Sequence, residues 1–203
     1  MRAKSLQAAG FGRRIVLFGL LLAISPVGCG DTSREGRAGL KVVVGDEWTH
    51  LSPTDVVVPG TVVSAWTGPE GASLVAFTSL PIPEPNPEAL GRELAVRWLN
   101  LPGVTVEGSS VQTYSGQKAA RVEAVGPGTG SALAPSGVGT PIAPEGKSLI
   151  ATRRISVSFA RKGDTLTLIW HFPESARAAI EPKVESILRS IEVADVVGPT
   201  YSY

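Results

Sequence analysis

Leu149-Ile-Ala-Thr-Arg-Arg-Ile-Ser-Val-Ser-Phe-Ala-Arg161, then Lys162-Gly-Asp164, then Thr165-Leu-Thr-Leu-Ile-Trp-His-Phe172 is the stretch on which the fold turns. Ile155, Val157 and Phe159 alternate with Arg154, Ser156 and Ser158, which is the period of a β-strand whose side chains project to opposite faces. Leu166, Leu168, Trp170 and Phe172 alternate in the same way with Thr167, Ile169 and His171. The short polar Lys-Gly-Asp insert between two such runs reads as a hairpin. Arg153 and Arg154, being consecutive in a strand, point to opposite faces and form no joint anion clamp; each is expected as a paired charge at the surface or sheet edge.

The same grammar extends outward. Thr61 to Thr67 and Leu74 to Leu80 form an earlier hairpin across Gly68 to Ser73. Val104 to Tyr114 and Lys118 to Val125 form another across Ser115-Gly116-Gln117. In that hairpin Val122 and Ala124 oppose Arg121 and Glu123, which predicts one solvated side. Leu40 to Val44 reads as the strand that opens the domain, followed by a turn at Gly45 to Glu47 and by Trp48, expected to plug one end of the core.

Two helices punctuate the strands. Asn86-Pro87-Glu88 combines a capping Asn, a proline at the first helical position and an acid near the positive end of the dipole. Leu90, Leu94 and Trp98 then follow four apart on one face, and Pro102-Gly103 ends the helix after Asn100. Pro182 to Ile191 reads as the last helix, with Val184, Ile187, Leu188 and Ile191 as its apolar stripe. Strands, helix, strands, helix, with no internal repeat, predicts an α+β fold: an antiparallel β-sheet with helices packed on it.

The opening of the chain is of another kind. Arg2, Lys4, Arg13 and Arg14 precede the apolar run Ile15 to Ile24, and Ser25-Pro-Val-Gly-Cys29 follows. Charged, apolar and small segments in that order make a secretory signal. The run has about half of the ~20 residues a membrane-crossing helix needs. Gly28 before Cys29 resembles the bacterial lipobox, which implies cleavage after residue 28, lipidation of Cys29 and a membrane attachment through the N-terminal lipid. Arg13-Arg14-Ile-Val-Leu17 also matches a twin-arginine signal loosely, so general and twin-arginine export are both readings. Gly30-Asp-Thr-Ser-Arg-Glu-Gly-Arg-Ala38 is small and polar and reads as a tether.

The expected organisation is therefore a signal over 1–28, a tether over 29–38, one α+β domain over 39–193 and a tail over 194–203. Residues 126–148 form a Gly/Pro-rich insertion, read either as a binding loop or as a disordered one. Four of the 19 basic residues lie in the signal, which leaves 15 against 18 acidic ones and removes any basic footprint for nucleic acid. A single cysteine excludes an internal disulfide and a cysteine-rich metal site.

Trp48-Thr-His-Leu-Ser-Pro53, the turn Ser115-Gly-Gln-Lys-Ala-Ala-Arg121 and the C-terminal Pro182-Lys-Val-Glu-Ser-Ile-Leu-Arg-Ser-Ile191 resemble the PsbP-like family, the extrinsic photosystem subunits and their bacterial relatives, LpqN-type lipoproteins among them. The resemblance spans residues 40 to 193. It implies an α/β/α sandwich on an antiparallel sheet, and a role in partner binding or assembly.

Catalytic motifs are sparse. No serine has glycines two residues away on both sides, as a nucleophile elbow needs. Gly126-Pro-Gly-Thr-Gly130 starts like a phosphate loop but lacks the closing Gly-Lys-Ser/Thr, and Ser131 stands where a dinucleotide fingerprint has its third glycine. His50 and His171 are the two histidines, with no spacing for a pair of metal ligands on a helix.

Three functions follow as expectations. The first is a lipid-anchored, non-enzymatic binding or assembly module with a protein partner in the cell envelope, without cofactor or metal. The second is an enzyme using His50 or His171 with a carboxylate on a sheet face. The third is a carrier of a small apolar ligand in a cavity beside Trp66 and Trp170. His171, Thr167 and Trp66 are the candidate pocket residues, and Cys29 is the candidate lipidation site.

Overall fold

The computed structural model of the protein describes residues 33–35, 39–52, 56, 58–80, 86–128 and 149–194. The signal with Cys29, residues 129–148 of the insertion and the tail from 195 lie outside the described residues.

The quoted hairpin forms the centre of the molecule. Strands β8 (Ile150–Ala160) and β9 (Thr165–Pro173) pair antiparallel with Val157 opposite Leu168 and Ile155 opposite Trp170. Around them lie β3 (Thr49–His50), β4 (Thr61–Thr67), β5 (Ser73–Ser79), β6 (Thr105–Tyr114) and β7 (Gln117–Gly128), in the order β3-β4-β5-β9-β8-β7-β6. Every pairing in this sheet is antiparallel. A second sheet joins β1 (Ser33–Glu35), β2 (Leu40–Val43) and β10 (Glu192–Val193). Ser33–Glu35 falls in the stretch read as a tether; its backbone pairs along β2.

Helix α1 (Pro87–Leu99) covers one face of the large sheet and α2 (Arg177–Arg189) the other. The Asn86 side chain accepts from the Ala89 amide at 2.7 Å, the cap that the sequence announces. Beneath α2, Ile180, Val184, Ile187 and Leu188 meet Leu40, Trp66, Leu74, Ile155, Val157, Leu166, Leu168, Trp170 and Phe172 in one continuous core. Trp48 closes this core. At roughly 1.5 to 3 kcal/mol for each fully buried large apolar side chain, this layer is the main source of cohesion. A smaller cluster of Val56, Ala65, Val75 and Phe77 covers β4 and β5 on the α1 face.

Three expectations are corrected. The last helix begins at Arg177, not Pro182, which lies inside it. Ile180 is buried beneath that first stretch, and its burial offsets part of the cost of the amide missing at Pro182. Strand β7 continues through Gly126-Pro127-Gly128, residues that composition assigns to the insertion. Pro127 is tolerated because β6 pairs no further than Val125, so β7 has become an edge there. The hairpin β6-β7 has no solvated side at Arg121, which is buried and paired with Glu123 and Glu185. Its turn has two residues, Ser115 and Gly116, both at positive φ, as the twist of a tight hairpin requires.

Candidate functional site

Alternation along β8 and β9 sorts the central residues into two chemistries. The α2 face carries Ile155, Val157, Phe159, Leu166, Leu168, Trp170 and Phe172. The α1 face carries Arg154, Ser156, Ser158, Thr167, Ile169 and His171, and of these Arg154, Ser156, Ser158 and Thr167 are buried. A buried polar sheet face needs internal hydrogen bonds. Ser158 and Thr167 share one at 2.7 Å, and the Trp98 indole donates to Ser156 Oγ at 3.0 Å.

Trp98, the last member of the α1 stripe, organises the site. Its ring lies 5.6 Å from the Arg154 guanidinium carbon and meets the His171 ring edge-on at 5.9 Å. Trp98 and His171 are both partly accessible. Arg154 is only 4% exposed. Its Nη1 donates to the carbonyls of Gly126 and Thr152 at 3.4 and 3.2 Å, and its Nη2 to the carbonyl of Pro127 at 2.7 Å. These bonds fix the guanidinium against the glycine-containing end of β7, which pairs with β8 as far as Gly128 opposite Ile150. A Cβ at Gly128 would stand 2.7 Å from Thr152 Oγ1 and 2.8 Å from Nη2, so a side chain there would have to displace one of them.

No carboxylate among the described residues pairs with Arg154. Burial alone lowers its pKa to about 10, which leaves it charged at neutral pH. Burial, and then the charge of Arg154, push His171 down to about 3, so its imidazole is neutral. The site therefore holds one fixed positive charge, a neutral imidazole, an indole face and small hydroxyls.

Of the pocket residues expected from sequence, His171 and Thr167 do share this face. Trp66 does not join them. It pairs with Leu74, which pairs with Trp170, so it lies on the α2 face. His50 stacks edge-on against Trp66 at 5.7 Å on the edge strand β3, across the sheet from His171. Trp66 and Trp170 are packed into the main core, where the carrier reading placed a cavity. Sequence reasoning missed Arg154 and Trp98 as site residues. The available signal was a tryptophan ending an amphipathic stripe, together with an arginine alternating with serines.

A groove of about 250 Å³ also runs between β2 and α2, lined by Val43, Trp48, Lys183 and Ser190 among others. Its cation, Lys183, is already paired with Glu47 at 2.8 Å.

No protein-family model matches the chain, and no curated protein matches it. Solved structures do. The cyanobacterial PsbP (CyanoP) of Synechocystis sp. PCC 6803 superposes with a TM-score of 0.52 at 10% identity, covering 83% of this chain and 99% of that one. The fold is PsbP-like. LpqN of Mycobacterium tuberculosis, involved in cell envelope biogenesis, matches with a TM-score of 0.50 at 15% identity, over 76% of this chain and 83% of its own. At these identities what is shared with the PsbP-like domains is the α/β/α architecture, as the antiparallel sheet between α1 and α2 displays.

Proposed function

We propose that the chain is exported, lipidated on Cys29 and works at a membrane of the cell envelope as a non-enzymatic binding or assembly module. The observation that carries the binding role is the cross-strand pairing of His171 with Arg154, a buried cation to which no carboxylate among the described residues is paired. A histidine that serves as general base is normally oriented by a carboxylate and titrates near the working pH. His171 instead faces a guanidinium and is held neutral far below that range. An imidazole held neutral beside a guanidinium is better suited to lining a ligand group than to shuttling a proton. His50, on the opposite face, adds nothing to it.

The anchor rests on the order of Arg13-Arg14, the apolar run and Gly28-Cys29, and on Cys29 being the single cysteine of the chain. Among the described residues no helix is long and apolar enough to cross a membrane; the attachment proposed is the lipid on Cys29. An envelope role fits the LpqN likeness.

Replacing Cys29 by Ser tests the anchor. Wild type should incorporate a labelled fatty acid and begin at Cys29, and Cys29→Ser should not be labelled. Unlabelled wild type that is freely soluble after cleavage elsewhere overturns the anchor. Substrate turnover that disappears in His171→Ala overturns the non-enzymatic role.

A further inference from the structure

Three other buried arginines show how this protein treats a guanidinium. Arg153 lays its Nε and Nη2 on Glu174 at 2.7 and 3.0 Å and reaches Glu107 and Glu123 besides. Arg161 lays the same edge on Asp164, with Nε at 2.7 Å. Arg121 reaches Glu123 and Glu185 at 2.9 and 2.6 Å. Even the exposed Arg177 sets that edge on Glu181.

Arg154 departs from all of them. Its three hydrogen bonds go to backbone carbonyls, which accept them but carry no net charge. They use three of its five N–H groups. The indole face of Trp98 attracts the cation without neutralising it, and His171 contributes no charge. A positive charge 4% exposed, with no counter-charge among the described residues, leaves a positive potential at the site. Trp98 and His171, the two rings beside the guanidinium, are both partly accessible.

We infer that Arg154, Trp98 and His171 form a binding site for an oxyanion, a carboxylate or phosphate group of a ligand that enters past the two rings and meets the guanidinium. The guanidinium offers such a group the planar donor pair that its neighbours offer to Glu and Asp. The neutral imidazole allows close approach without a second charge, and the buried hydroxyl of Ser156 is fixed by Trp98. This inference rests on the binding-module reading and names its ligand chemistry.

The test is titration of ¹⁵N-labelled protein with sodium benzoate and, separately, sodium phosphate at constant ionic strength, following the Trp98 indole and Arg154 Nε–H resonances. Saturable shifts are expected with at least one of the two, and which one responds tells carboxylate from phosphate ligands. Arg154→Met should weaken the response at least tenfold while the amide spectrum stays folded. Arg154→Lys, which keeps the charge and loses the fork, should also weaken it about tenfold, and serves if the Met variant fails to fold. No saturable shift in wild type, or an unchanged affinity in the variants, overturns the site. Fatty-acid labelling of Cys29 is independent of this titration, so a labelled chain that ignores both anions retains the anchor and loses the oxyanion site.

Discussion

Arg153 and Arg154 are covalent neighbours in β8 and sit in opposite chemistries. Arg153, on the α2 face, is wholly buried and surrounded by Glu107, Glu123 and Glu174. Burial opposes its charge, but the hydrogen bonds it donates to Glu174 and Glu107 outweigh that and raise its pKa above the ordinary arginine value. Arg154, on the α1 face, has carbonyls, an indole and a neutral imidazole, and its pKa falls. One residue of strand period separates a cation that ties elements together from one left with its charge unanswered. The α2 face is built for cohesion, with a bulge at Val106/Gly108 in β6, where Glu107 reaches Arg153. The α1 face keeps polar groups under a helix that touches them through Trp98.

The largest effect that separates the faces should come from their two tryptophans. Trp170 is fully buried in the α2-side core, and Trp170→Ala should cost about 3 to 5 kcal/mol of unfolding free energy. Trp98→Ala removes a half-buried ring and one hydrogen bond to Ser156, and should cost about 1 to 2 kcal/mol. Urea unfolding of both variants checks the difference. Equal losses would mean that the α1 face is as cohesive as the other.

A smaller effect concerns acid. The folded-state pKa of His171 lies below that of the unfolded chain, so below about pH 6.5 the unfolded state takes up the proton first. The stability it contributes is present above that value and is lost as pH falls from 6.5 toward 3, at a rate of at most about 1.4 kcal/mol per pH unit. Unfolding free energies at pH 7.0, 6.0 and 5.0 should decline in wild type and decline less in His171→Asn. The imidazole proton resonance of His171 should stay constant over the same range. A His171 that titrates near pH 6.5 would remove the neutral imidazole from the site.

Much of this architecture is legible in the chain. The alternation in Arg154 to Phe159 and Leu166 to Phe172 gives strands directly, because consecutive side chains must project oppositely, and Asn86-Pro87-Glu88 marks the start of α1 to the residue. The placement of Trp66 was not legible. Periodicity tells which residues of one strand share a face, but not which face of a neighbouring strand meets it; that depends on the register of β4 with β5 and β5 with β9. Burial of the arginines was hidden for a related reason. Arg153 was expected at a surface or edge because its partner Glu107 is 46 residues away in sequence. Gly126-Pro127-Gly128 looks like loop by composition, and the pairing that keeps it in the sheet comes from the neighbouring strand β8. The α1-face site was half legible: His171 and Thr167 follow from alternation within β9, whereas Trp98 and Arg154 meet only when α1 packs on the sheet.

The account stands on the claim that Arg153 serves the fold and Arg154 a ligand, and paired urea unfolding of Arg153→Met and Arg154→Met tests it most directly. Arg153→Met removes the buried cation shared by Glu107, Glu123 and Glu174 and should cost about 3 kcal/mol. In Arg154→Met, relief from burying an unanswered charge offsets the lost carbonyl bonds, and the variant should stay within about 1 kcal/mol of wild type. Losses of equal size, or a larger one for Arg154→Met, would make both arginines structural and contradict the account.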